Sequence, residues 1–162
     1  MNGWLFYGCL WLGFVSAVVG GVFLGFSDFI MGGLKQAEAS AGADSMRQIN
    51  RTVFRSVFLT SFLSLVPLTA GFALYAWYQA EGLGQLYCTA AALIYLLAVF
   101  LVTIAGNVPM NNRLDVLHPD DPAADDYWQH YARVWTRWNH VRTMGCLATA
   151  ALFLLAAAAL AR

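Results

Sequence analysis

The stretch Asn107-Val-Pro-Met-Asn-Asn-Arg113, an acidic loop, and then Trp135-Thr-Arg-Trp-Asn-His-Val-Arg-Thr143 decides how this chain divides into elements. It is a polar and aromatic island between two long apolar segments. The loop at 115–126 contains five Asp, with His118, Pro119 and Pro122, and reads as solvated. Pro109 interrupts the helical pattern of the apolar run before the loop. After it, Asp125 and Asp126 suit a helix N-terminus. That helix continues through Tyr127, Trp128, Tyr131, Trp135 and Trp138, and turns oily from Val141. From Asp125 to Ala161 is 37 residues, well over the about 20 that cross about 30 Å of hydrocarbon. Residues 125–140 are therefore expected to project beyond the hydrocarbon or lie along the interface, with a span at about 141–161.

Working outward, three more apolar runs span about 4–26, 52–78 and 86–106. The first has no charged residue, and Gly21 and Gly25 have the GxxxG spacing that allows close helix approach. The second contains Pro67, where a kink is expected, and ends in the interfacial pair Trp77-Tyr78. A short connection makes the second and third antiparallel neighbours. Between the first two, Gly32-Gly33 permits a turn, and a short helix over Ala43–Ile49 is expected with Asp44 as its N-cap.

The chain is 60% hydrophobic and 11% charged, with a mean hydropathy of +0.59. Soluble domains are about 45–50% apolar and about 25% charged. The reading is all-α: an integral membrane four-helix bundle in one transmembrane domain, residues 1–162, with a long amphipathic extension on the fourth helix. The lipid bilayer is its partner. A formal net charge of zero argues against nucleic acid. No basic residue precedes Lys35, so no cleavable leader is expected. Lys35, Arg47, Arg51, Arg55, Arg113, Arg133, Arg137 and Arg142 fall on two connections, against Arg162 on the other side. The positive-inside rule then puts both connections in the cytoplasm and both termini outside the cell (inner) membrane.

This topology brings polar groups from all four helices to one face. Asp28 is either an interfacial acid or an inward-turned group that meets a cation or substrate. Asn50, Arg51 and Arg55 sit at the mouth of the second span. Asn107 and Asn111 share a helical face; they either bind a ligand oxygen or cap a broken helix end. His140 is the best acid–base candidate, because histidine titrates near neutrality; the plainer reading is an interfacial hydrogen-bonder. The aromatic series Trp128, Tyr131, Trp135 and Trp138 reads as an interfacial belt or as a flat wall for an aromatic ligand. Cys9, Cys88 and Cys146 have no CxxC spacing and read as small buried residues; a Cys9–Cys88 pair requires both near one membrane face. His130 and His140 are about 80° apart on a helix, so no metal site is expected from them. A set drawn across helices from His140, Asp28 and the asparagines stays open.

Four blocks carry a family resemblance: Phe26-Ser-Asp-Phe-Ile-Met31, Met46-Arg-Gln-Ile-Asn-Arg51, Asn107-Val-Pro-Met-Asn-Asn-Arg-Leu114 and Trp135-Thr-Arg-Trp-Asn-His-Val-Arg-Thr143. In order and across nearly the whole chain, these resemble the anthrone oxygenases, small four-helix membrane proteins. The resemblance implies a membrane-embedded oxidoreductase, an oxygenase of a hydrophobic aromatic, anthrone- or quinol-like small molecule. It implies molecular oxygen as co-substrate and no cofactor, with metal or haem left open. An anthrone has an acidic carbon between two rings. On that chemistry His140 is expected as the base, with Asn107, Asn111 and Arg142 stabilising the enolate oxygen. Asp28, Asn50, Trp135, Trp138 and Asn139 complete the expected binding set. The alternatives are a non-catalytic binder of a lipophilic ligand and a metal- or haem-dependent enzyme.

Overall fold

In a computed structural model, residues 3–118 and 121–161 are described. Pro119 of the acidic loop and Arg162, the lone outer cation of the topology argument, lie outside them. Among the described residues the chain forms five helices and no strand: α1 (Gly3–Gln36), α2 (Ala39–Thr52), α3 (Val57–Gln79), α4 (Leu83–Val116) and α5 (Ala124–Leu160). All but α2 are long and apolar enough to cross a membrane. They form a ring in which α1 packs most extensively on α5, α5 on α4, α4 on α3, and α3 back on α1.

Two helices run further than the sequence suggests. α1 does not turn at Gly32-Gly33; it winds as a π-helix over Phe26–Ile30 and continues to Gln36. α4 likewise passes through Pro109. Two π segments, Tyr95–Leu101 and Thr103–Asn107, precede it, and Pro109 falls at the first positions of the α-helical turn that follows. There its missing N–H costs little, so the helix is not broken. α2 also starts earlier than expected, at Ala39, so Asp44 lies inside it rather than capping it. A 3₁₀ turn at Val53–Arg55 and an extended Ser56 separate α2 from α3. The Ser56 hydroxyl accepts from Leu59 N at 3.2 Å and caps α3.

The interior has two layers. One apolar cluster, including Leu5, Leu65, Tyr95, Val99 and Phe153, fills the bundle between its spans. A second joins Met31, Met46, Leu114, Trp128, Tyr131 and Trp135 at the basic end. The first turns of α5 are therefore one wall of a second core. Trp128 and Tyr131 are fully buried there, not an interfacial belt. Buried Arg47 clamps this layer. Its Nε and Nη2 donate to the carbonyls of Leu114 and Leu117 at 2.8 Å each, and its Nη1 pairs with Asp44. These carbonyls belong to the end of α4, where no intrahelical donor remains.

α2 reaches this layer only because Gly42 lies against the chain. A Cβ at Gly42 collides with the Leu34 carbonyl oxygen and meets Trp128 Cζ2 at 2.9 Å, whereas one at Gly71 meets nothing within 4 Å. Gly42→Val is expected to lower the thermal midpoint in detergent by about 5 °C or more, from overpacking. Gly71→Ala is expected to leave it unchanged or raise it, since alanine is the better helix former.

Candidate functional site

At the junction of the two layers lies a cavity of about 230 Å³. This is near the lower end of small-molecule sites, about 300–1,000 Å³. Its walls come from every helix. Val22, Phe23 and Phe26 come from α1; Met46, Ile49 and Asn50 from α2; Phe58 and Phe62 from α3; Thr103, Asn111 and Asp115 from α4; Trp135 and Arg142 from α5. Phe23 stands edge-on to Phe58 and Phe62, and Phe26 tilts against Trp135. The lining is therefore mostly aromatic and aliphatic, with a few polar groups set into it.

The chief polar group is Arg142, only 5% exposed. Its guanidinium lies over the Phe23 ring at 4.3 Å and the Trp135 ring at 5.1 Å. Its Nη2 donates to Asn139 Oδ1 at 2.6 Å, and its Nε has no partner. The ion pairs among the described residues are Arg47–Asp44 and Arg51–Asp115, so no carboxylate balances Arg142. Removing such a charge from water costs several kcal/mol, and ring faces compensate only part of it.

Asn139 holds this group in place. It is fully buried, and its Nδ2 donates to Phe23 O and to Ser27 Oγ, each at 2.6 Å. It does not line the cavity; it orients Arg142. Asn111 does line it. Its Oδ1 accepts from Tyr131 Oη at 2.7 Å and Trp135 Nε1 at 2.9 Å. With Oδ1 occupied twice, its donor end is the one left for a ligand. Asn50 Nδ2 is buried without a hydrogen-bond partner, beside the Tyr131 hydroxyl. Two unpartnered donors, Asn50 Nδ2 and Arg142 Nε, thus belong to residues of one cavity wall.

Besides Asn139, four of the expected site residues lie outside the cavity lining. His140 is exposed and does not line the cavity. At 100° per residue it points about 160° away from Arg142 around α5. Trp138 packs on the α4 backbone: a Cβ at Gly106 falls 2.9 Å from its ring. Asn107 is buried, and its Nδ2 donates to Trp135 O at 3.2 Å; it ties α4 to α5 outside the cavity lining. Asp28 is exposed in a separate hollow with Lys35, Arg133 and Arg137. Asn50, Asn111, Trp135 and Arg142 line one cavity.

The residue missed from the sequence is Asp115. It is the one carboxylate among the cavity's lining residues. Arg51 holds it, with Nε and Nη2 each 2.9 Å from Oδ1. Its signal was present: Asp115 lies four residues beyond Asn111 and shares its helical face. Among the described residues, no three His, Cys, Asp or Glu side chains converge as metal ligands would.

Compared with known proteins, the chain matches the anthrone oxygenase family over residues 50–152. That span includes Asn50, Asn111, Asp115, Trp135 and Arg142, while Phe26–Met31 lies upstream of it. No curated protein and no solved structure matches the chain. With more than half of its length matched, the chain belongs to the anthrone oxygenase family.

Proposed function

We propose that this protein binds a fused aromatic molecule in the cavity, holds it there as an oxyanion once deprotonated, and oxidises it with molecular oxygen. The observation that carries this reading is Arg142, buried beside aromatic walls and balanced by no carboxylate among the described residues. A ligand that delivers one negative oxygen to Arg142 Nε and Asn50 Nδ2 satisfies two orphaned donors and neutralises the charge. Phe23, Phe26, Phe58 and Trp135 offer the ring faces and edges that a flat aromatic prefers.

The chemistry follows from what these residues can do to an anthrone-like ligand. The Asp115 carboxylate takes a proton from the carbon between the rings. The electron pair moves to the ring oxygen, and the resulting enolate is held by Arg142 and Asn50. Oxygen bonds to the electron-rich carbon, and the peroxide that forms takes the proton back from Asp115 and loses water to leave a carbonyl. The balance is one CH2 plus one O2 giving one C=O plus one H2O, with no external reductant. Arg51 keeps Asp115 aimed, and Asn139 keeps Arg142 aimed. In this reading the basic end of the bundle faces the cytoplasm across the inner membrane, as the distribution of Lys and Arg favours.

Oxygen uptake by detergent-purified protein with an anthrone tests the assignment. Arg142→Gln is expected to lower kcat/KM by about 100-fold or more, the scale for losing one oxyanion donor. Asp115→Asn is expected to lower it by about 100-fold or more, the scale for a general base. His140→Ala is expected to keep turnover within a few-fold. Loss of turnover in His140→Ala with an active Asp115→Asn would return the base to His140. Quenching of tryptophan fluorescence by an anthraquinone separates binding from turnover, because Trp135 lines the cavity. Quenching without any oxygen uptake would identify a carrier instead.

A further inference from the structure

A second hollow, of about 270 Å³, lies on the outside of the bundle at its basic end. The π-wound part of α1 and the turn after it supply Ser27, Asp28, Gly32 and Lys35; α5 supplies Arg133, Thr136 and Arg137. Asp28, Lys35, Arg133 and Arg137 are all exposed. No ion pair joins Asp28 to any of these cations, so three positive charges and one negative charge face one another across open space. A Cβ at Gly32 or the neighbouring Gly33 meets no other part of the protein within 4 Å, so the α1 side of the hollow is open there.

The hollow is continuous with exposed surface of two helices long and apolar enough to cross a membrane. On α1, Gly21 and Leu24 lie seven and four residues before Asp28 and share its face; both are exposed, Leu24 by 47%. On α5, His140 and Leu147 follow Arg133 at seven-residue spacing. Leu147 and Met144 are exposed by 41% and 66%. Leu147 also comes close to Gly20, so the α1–α5 seam runs directly beneath the charges. A charged rim above an apolar seam has the form of a phospholipid, headgroup above and acyl chain below. Basic pockets between membrane helices bind such headgroups.

From this geometry we propose that the hollow binds a membrane phospholipid whose phosphodiester headgroup carries its own hydrogen-bond donor. The phosphodiester oxygens accept from Arg133 and Arg137, with Lys35 adding charge. Asp28 accepts from the headgroup's ammonium or hydroxyl. An acid is out of place in a site for a bare anion, but it is required where the same headgroup also donates. The choline headgroup, with no N–H or O–H, satisfies only the basic half. An acyl chain then lies along Leu24, Met144 and Leu147.

Native mass spectrometry of the full chain in detergent tests this with equimolar phosphatidylethanolamine, phosphatidylglycerol and phosphatidylcholine. The first two are expected to remain bound at least about 5-fold more than the third. Arg133→Gln with Arg137→Gln should remove all three adducts. Asp28→Asn should erase the preference over phosphatidylcholine while the adducts persist. Unchanged thermal midpoints in these exposed-site variants show that the fold is retained. Equal retention of the three lipids, or retention unaffected by the double variant, would mean a non-specific lipid shell and overturn the site. Water-soluble glycerophosphoethanolamine displacing the lipid at equal concentration would overturn the membrane as its source.

Discussion

Asn139 is the joint on which the arrangement turns. A membrane-embedded helix has no water to satisfy stray polar groups, so each must find a partner inside the protein. α1 passes from α to π winding at Phe26, and Phe23 O lies where the two hydrogen-bond patterns meet. The Asn139 amide donates to that carbonyl and to Ser27 Oγ, while its oxygen accepts from Arg142. One buried side chain therefore fixes the first helix to the last and aims the cation of the cavity. The π winding and the guanidinium are two ends of one hydrogen-bonded chain.

The same logic explains why π winding gathers around the cavity. The wound stretches contribute Phe26 on α1 and Thr103 on α4 to its wall. Wider winding shifts which side chains face inward, and such segments recur at functional sites. Each π turn takes up about one extra residue, so a regular helix with the same sequence turns a different side of the residues beyond it to the cavity. On α4 the residues beyond are Asn111 and Asp115. Their presence in the wall is thus a property of the winding as well as of the sequence.

Much of this was legible from residue order alone. Four spans, their antiparallel order, and the convergence of Asn50, Asn111, Trp135 and Arg142 on one end follow from apolar run lengths and short connections. What was not legible depended on the direction of side chains around each axis. His140 and Arg142 are two residues apart, and that small step separates the outside of α5 from its inside. Asn107 was read with Asn111 on one helical face, as a ligand donor or as the cap of a broken helix end; in the continuous helix its amide donates to the Trp135 carbonyl instead. Asp28 was assigned to the same site as Asn50 because both lie at one membrane depth, but depth does not distinguish inside from outside. Asp115 looked like loop solvation because α4 was expected to end before it.

The short break at Val53–Arg55 and Ser56 has a kinetic meaning. It leaves Phe54 and Val57 exposed by 76% and 83%, and Val53 and Phe54 belong to the cavity wall. In the proposed reading this exposed, apolar side of the wall faces the bilayer. A molecule reaching the cavity by that side is supplied by partitioning into the bilayer, not by aqueous encounter. Its effective concentration is then a mole fraction in lipid, so adding empty vesicles at a fixed total amount dilutes it as surely as adding water dilutes a soluble substrate.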